Sequence, residues 1–525
     1  DVGTSTLNNI IFPPFQATID AGVRTFMNSF SELNGIPATG NSYLQRDILK
    51  DKWEFDGFVV SDWGSIKEMI SHGFARDDKQ AAQIAANAGS DMDMESYLYV
   101  NELADLVREG KVKQAYIDDA AKRILRVKFE LGLFEDPYKY CDAQREKEVI
   151  GQQAFHDACL DMAKKSIVLL KNENQLLPLK KQGQKIALIG ALATDKTSPL
   201  GNWRIAAKDN TAVSVLEGMQ AYTGNQLTYA KGADVSLGNT EFTEEVNINT
   251  TDKSEFPKAI AVAKTADVVV MVLGEIGYQS GEGRSRTGLG LPGVQQELLE
   301  AIYKVNKNIV LVLNNGRPLV LNWHQEHLPA IVEAWQLGTQ SGNAIAQVLY
   351  GDYNPSGKLP MSFPRAVGQI PIYYNYKNTG RPTLPAPGKV FWSHYQDTEN
   401  TPLYPFGYGL SYTTFEYSNL QAQAVSDKEV NVSVTLKNSG KLTGKEVVQL
   451  YIRDHYASVT RPVRELKGFE LVSLEPNESK EISFTLTEKE LGFYNNQGDF
   501  VLEPGDFSIF VGGDSNAKLE TKITL

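Results

Sequence analysis

At 525 residues, 42% hydrophobic and 22% charged, the chain is long enough for several cores, because single cores stop growing near about 250–300 residues. A net charge of −12 with no Lys/Arg cluster argues against a nucleic-acid partner, and no apolar run approaches the roughly 18 residues of a membrane span. Two cysteines, Cys141 and Cys159, could pair but make no disulfide framework, and six scattered histidines show no metal-ligand spacing.

Residues 1–137 alternate helical and strand signals. Ala17 to Met27 leads into a short apolar stretch and the turn Asn34-Gly35; Tyr43 to Lys50 reads as helical. Phe58 to Val60 reads as a short buried strand that ends in Ser61-Asp62-Trp63-Gly64. Ala81 to Ala88 looks helical and precedes Gly89-Ser90-Asp91-Met92. Ile117, Ala120, Ile124, Val127 and Leu131 share one helical face, with Gly132 as cap and Pro137 beyond. Repeated βα units of this kind predict a parallel sheet or a TIM-like barrel. After a linker at 138–159, residues 160–365 read as a second α/β unit. Its buried strands are Ser166 to Leu170, Ile186 to Ile189, Val268 to Leu273, Ile309 to Leu313 and Ala330 to Ala334, with helices at Gly293 to Val305 and Ala344 to Leu349. Residues 366–412, rich in Pro, Gly and Tyr, read as a long ordered linker. In 413–525, Val430, Val432, Val434 and Leu436 alternate with polar residues, as do Ile482, Phe484 and Leu486. That pattern predicts a β-sandwich of immunoglobulin or fibronectin type.

Acids at two places in the chain stand out. Asp62 follows the Phe58–Val60 strand, and a carboxylate at the C-terminal end of a barrel strand is where such folds keep their chemistry. Trp63 beside it offers an apolar face to a flat ligand such as a sugar ring. In Gly274 to Arg286, Glu275 directly follows a strand, while Glu282 lies between Gly281 and Gly283 with Arg284 and Arg286 beyond. Taken singly, a strand-end Asp is more often a turn residue and a glycine-flanked Glu a solvated one. As a pair they fit glycoside hydrolysis, which needs two carboxylates flanking the scissile bond. Of Trp63, Trp203, Trp323, Trp335 and Trp392, some could stack on sugars. Gly288 to Gly293 satisfies G-x-G-x-x-G, but it follows a polar loop and carries Pro292, so it reads as the loop before a helix rather than a nucleotide site.

Long segments in order carry a wider resemblance: NSFSELNGIPAT from Asn28, GFVVSDWGS from Gly57, SRTGLGLPGVQQELL from Ser285, GDYNPSGKLPMSFPR from Gly351 and YPFGYGLSYTTFEY from Tyr404. The chain resembles glycoside hydrolase family three β-glucosidases of the bacterial periplasmic type. The resemblance implies an α/β chain holding part of a TIM-like barrel (1–137), an α/β sandwich (160–365) and a fibronectin type III-like β-sandwich (413–525). It implies a retaining exo-β-glycosidase, with β-xylosidase as the neighbouring alternative, and no metal or organic cofactor. Asp62 maps to the nucleophile, Glu282 rather than Glu275 to the acid/base, and Trp63, Met27 and Met94 to the sugar pocket. The two carboxylates are expected to approach one another across the barrel and the sandwich. Phe30 stands where many members carry a Tyr that bonds the nucleophile. An N-terminal barrel segment, which carries further sugar ligands in the family, is expected upstream, in the same or a separate chain. A polypeptide limited to residues 1–525 is accordingly expected to be inactive and poorly soluble. A homodimer and a periplasmic or secreted location complete the implied picture. The rivals are a family β-N-acetylhexosaminidase or phosphorylase and a carbohydrate-binding protein with a dead site.

Overall fold

The computed structural model describes residues 1–204, 207–382 and 390–525. The chain divides into two units, one of residues 1–150 with 492–501, the other of 151–491 with 502–525.

In the first unit, strand β1 (Thr25–Met27) lies parallel to β2 (Phe58–Val60), with Met27 opposite Val60. Val60 in turn bridges in parallel to Met92. Helices follow each strand: Tyr43–Lys52, a wide π-type helix, after β1, and Ser65–Ser71 and Asp78–Ala88 after β2. This is the barrel-like βα repeat that the pattern predicts. Asp77 caps the Asp78–Ala88 helix through the Gln80 N–H, and Gly89 closes it in the left-handed region at φ 109°. Ile66, Met69, Ala81, Ala85, Leu98 and Leu106 form the apolar centre under these helices. The expected Asn34-Gly35 turn is a tight hairpin with φ of 53° and 80° at its two central residues.

The amphipathic helix is present as Gln114–Glu130, and none of its residues is fully buried; Leu131 beyond it is exposed. It attaches to the unit largely through arginines: Arg123 donates to the carbonyls of Phe55 and Gly57 (2.7 and 2.9 Å) and Arg126 to that of Asp56 (2.6 Å). Periodicity located the helix, but depth of burial depends on what lies across from the face.

The second unit is built on a six-stranded sheet of β3 (Val168–Asn172), β4 (Gln182–Ile189), β5 (Gly224–Ala230), β6 (Val268–Gly274), β7 (Ile309–Asn314) and β8 (Ala330–Glu333), in the order β3-β8-β7-β6-β4-β5. Only β3 runs antiparallel to its neighbour. Val270, Val272, Val310 and Val332 face one apolar cluster, and Val269, Met271, Leu311 and Ile331 the other. Strands covered on both faces need continuous apolar runs, which is why the central ones are legible. Strand β5 has no such run, because as an edge strand it alternates exposed and half-buried positions. The stretch 138–159 holds the helix Ala143–Val149 and half of Gln153–Ser166. Both cysteines are free.

Residues of the 366–412 stretch return to the sheet through bridges of Phe363 to Tyr404 and Leu169 to Leu410. Beyond them, a three-stranded sheet (Phe415–Ser426, Glu429–Asn438, Ser479–Thr487) faces a four-stranded one (Gly444–Asp454, Glu465–Leu474, Asp506–Gly512, Leu519–Thr524). Val430, Val432, Val434 and Leu436 point into the core between them, as their alternation requires. Among the described residues, no helix is long and apolar enough to cross a membrane.

Candidate active site

The C-terminal ends of β1, β2 and the Met92 bridge lie side by side, which brings Met27, Asp62 with Trp63, and Met94 to one corner of the first unit. Ser61, fully buried, is the tie. Its N–H donates to the Met92 carbonyl (2.9 Å), and its hydroxyl accepts from the Met94 N–H (2.8 Å) and donates to the Asp62 carbonyl (2.9 Å). Gly64, at φ 70°, turns the chain so that its N–H reaches the Met94 carbonyl (2.8 Å). Asp62 is half-buried, and its Oδ1 accepts the Trp63 N–H at 2.7 Å. Trp63 is 64% exposed and Met27 57%, so neither side chain is used up in packing.

The floor of this corner is polar and was not foreseen. Lys50 and Asp91 form an ion pair at 2.7 Å with both side chains only 3% exposed. The second oxygen of Asp91 accepts the Val59 N–H of β2 (2.8 Å), and Lys50 also donates to the Gly89 carbonyl (2.8 Å). Burial pulls the Lys50 ammonium below its usual range, against the pull of Asp91. Asn28, next to Met27, donates to Ser90 (2.8 Å). Nothing in a single sequence links Lys50 to Asp91, since they lie on different elements. Phe30 is half-buried and offers no donor.

In the second unit, β6 ends at Gly274, where φ is +134° and a Cβ would stand 2.2 Å from the Asn314 carbonyl oxygen. Glu275 follows, wholly buried. Its carboxylate meets Arg286 at 2.6 Å and Arg317 at 3.1 Å. It therefore has no face to offer a ligand. Glu282 is exposed, between Gly281 and Gly283 at φ of 116° and 67°. The two glutamates thus differ in burial and in partners. The loop also borders a cavity of about 340 Å³ lined by Asn202, Arg204, Asp209, Phe242 and Tyr278. Trp203, 62% exposed, packs edge-on to Phe242 at 5.3 Å, and the Arg204 guanidinium lies 4.5 Å from the Tyr278 ring centre. Phe242 and Tyr278 escaped the sequence reading. Tyr278, beside Gly277 within the Glu282 loop, carried the only available signal. Trp323 stacks on His327, and Trp335 packs against Phe363.

Nearby, burial raises the Glu333 carboxyl well above the usual carboxylate range; it accepts from the Trp335 N–H (3.0 Å) and Asn315 Nδ2 (3.3 Å). The Gly288–Gly293 stretch is a loop, as read: its Gly290 and Leu289 carbonyls accept from Arg286 and the Val320 N–H, both at 2.8 Å. Buried Gln295 opens the next helix and bonds both the N–H and the carbonyl of Gly274 (2.9 and 2.8 Å).

Comparison with known proteins extends this picture. The model of the glycosyl hydrolase family 3 N terminal domain matches residues 1–127, that of the family 3 C-terminal domain residues 167–412, and that of the fibronectin type III-like domain residues 446–515. The chain is 44% identical to the periplasmic beta-glucosidase of Salmonella typhimurium, covering 98% of this chain and 69% of that protein. It is 39% identical to a beta-xylosidase of Formosa agariphila, covering 98% and 71%. A solved beta-glucosidase from Listeria innocua in complex with glucose superposes with a TM-score of 0.92 at 38% identity, over 100% of this chain and 70% of that one. This chain is a glycoside hydrolase and belongs to glycosyl hydrolase family 3.

Proposed function

We propose that the protein removes terminal β-linked glucose from oligosaccharides or glycosides with retention of configuration. Asp62 attacks the anomeric carbon as the glycosidic bond breaks, and Glu282 gives its proton to the departing oxygen. In the second half, Glu282 takes a proton from water, whose oxygen displaces Asp62 and frees the sugar. The observation that carries this reading is the split between the two glutamates. Glu275 is consumed by two arginines, which leaves exposed Glu282 as the proton donor of its loop. Support for Asp62 comes from its place at a strand end, half-buried beside an exposed indole. Trp63, Met27 and Met94 wall the sugar, and the nucleophile's charge is met by the Trp63 N–H in place of a hydroxyl at Phe30. The cavity beside Trp203 and Tyr278 suits the leaving group.

The proposal takes the domain bounds as 1–137, 160–365 and 413–525, with 138–159 and 366–412 between them. It includes a barrel segment completing the first unit, a homodimer, and a periplasmic or secreted location, as the Salmonella relative's name indicates for that protein. The experiment is hydrolysis of an aryl β-glucoside by the native protein, followed by NMR of the first-formed sugar. With the completing barrel segment present, β-glucose as first product supports the reading; α-glucose, or no turnover, defeats it. Because a beta-xylosidase is among the relatives, kcat/KM on the matching β-xyloside decides between the two sugars.

A further inference from the structure

We infer that Arg317, anchored on the buried carboxylate of Glu275, is the positioning residue that sets the aim of Glu282. The inference rests on the reading of Glu282 as the acid/base. The loop needs such a device. Apart from the short turn Gly277–Gln279, it has no regular structure, and Glu282 sits between two glycines in the left-handed region. A segment of that kind, left alone, samples many conformations, and ordering it costs backbone entropy at every residue.

One guanidinium brackets it. Arg317 Nη2 donates to the carbonyl of Gln279 and, at 2.8 Å, to that of Arg284. Those carbonyls lie three residues before and two residues after Glu282. Arg317 Nε turns back to Glu275, 3.1 Å from Oε1 and 3.3 Å from Oε2. Glu275 also holds Arg286 at 2.6 Å, and Arg286 reaches the Gly290 carbonyl at 2.8 Å. The anchor is rigid. The Glu275 N–H donates to the Asn314 carbonyl at 2.7 Å, directly after the close approach at Gly274. Force is thus passed from the sheet to Glu275, from Glu275 to Arg317, and from Arg317 to both arms of the loop.

A wholly buried carboxylate is a poor way merely to hold a sheet together, because packed apolar residues of similar size do as well or better. What an apolar residue cannot do is orient a planar fork toward two carbonyls. A lysine, a point charge on a flexible stem, has no planar fork to hold several acceptors in one fixed geometry. An acid misplaced by about 1 Å can lose on the order of 100-fold in rate.

The test measures kcat/KM of the native protein and its variants on aryl β-glucosides whose phenols span a range of acidity. Arg317→Met should lose roughly 100-fold on the least acidic phenols and under about 5-fold on the most activated ones, since only poor leaving groups need the proton. Arg317→Lys should lose about 10-fold, again only on poor leaving groups, and decides the matter if Arg317→Met does not fold. In the Glu282→Ala background, Arg317→Met should cost less than about 3-fold more, because the two residues act as one unit. An equal loss on every substrate, or a loss that persists undiminished in the Glu282→Ala background, overturns the inference. If Glu282→Ala itself shows no leaving-group dependence, the acid/base reading fails and takes the inference with it. If Glu282→Ala shows the dependence while both Arg317 variants do not, the positioning role alone is wrong.

Discussion

At Asp62 the chain is held by main-chain bonds to neighbouring strands; at Glu282 it is held by charged side chains at the C-terminal ends of central strands and in the loop itself. Asp62 follows a parallel strand whose neighbours fix it by main-chain bonds, with Ser61 closing the junction to Met94. Glu282 stands on an exposed, glycine-flanked loop whose bonds run from Arg317, Arg286 and Arg284. The difference fits the two proposed tasks. A nucleophile must meet one carbon along one line, whereas an acid/base must serve leaving groups of different size and then a water molecule. A stiff mount suits the first, and a tethered loop the second.

The largest effect should come from Asp62→Asn, which removes the covalent step. Turnover of an aryl β-glucoside should fall by about 10⁴-fold or more, with unchanged thermal unfolding, and azide should restore rate with an inverted product. Near-native turnover would break the comparison at its stiffer end. Next is Glu282→Ala, expected to lose about 10²–10⁴-fold on poor leaving groups and little on activated ones. A uniform loss across the series would remove the loop from proton transfer.

The stiffness itself can be tested through the buried pair beneath β2. Lys50→Met leaves Asp91 charged, buried and unpaired, and should cost about 3–5 kcal/mol in urea unfolding. Replacing both partners with apolar residues should recover most of it. A cost under about 1 kcal/mol would mean the corner is held by packing alone.

A fourth outcome concerns pH in the second unit, away from the loop. Burial pushes the His324 imidazole down to about 4 from its ordinary 6.5, and neither ring nitrogen finds a partner among the described residues. Between those two values the unfolded chain holds a proton that the folded chain lacks. Stability therefore falls as pH drops from 6.5 toward 4, by about 3 kcal/mol in total. His324→Phe should flatten that window in denaturation curves without altering leaving-group dependence. An unchanged pH slope would show that the ring finds a way to ionise in place. Smallest is Trp63→Ala, for which KM should rise about 10-fold with kcat nearly constant, the mark of lost ground-state binding. A fall in kcat alone would mean that the indole acts on the transition state.

Much of this was legible in the chain. The central strands of the second unit, continuous in Val, Ile and Leu, could not have been surface; the alternation at Val430 to Leu436 could only be half-buried. Asp62 stood out because its strand, turn glycine and indole are neighbours in sequence, whereas Glu282, flanked by glycines like many a solvated loop acid, was chosen over Glu275 only by the family resemblance. The sequence alone therefore determined the layers and put forward the two carboxylates as candidates. What only the tertiary structure decided are pairings between distant segments: Lys50 with Asp91, Trp203 with Phe242, and Glu275 with Arg286 and Arg317. Glu275 shows the limit most clearly. In sequence it was an acid set aside in favour of a neighbour, and in the structure it is the anchor of that neighbour's loop. Periodicity reports which face of an element is apolar, but it carries no record of which polar group lies opposite. A buried charge is tolerable only when that partner arrives, so its role is written in the fold.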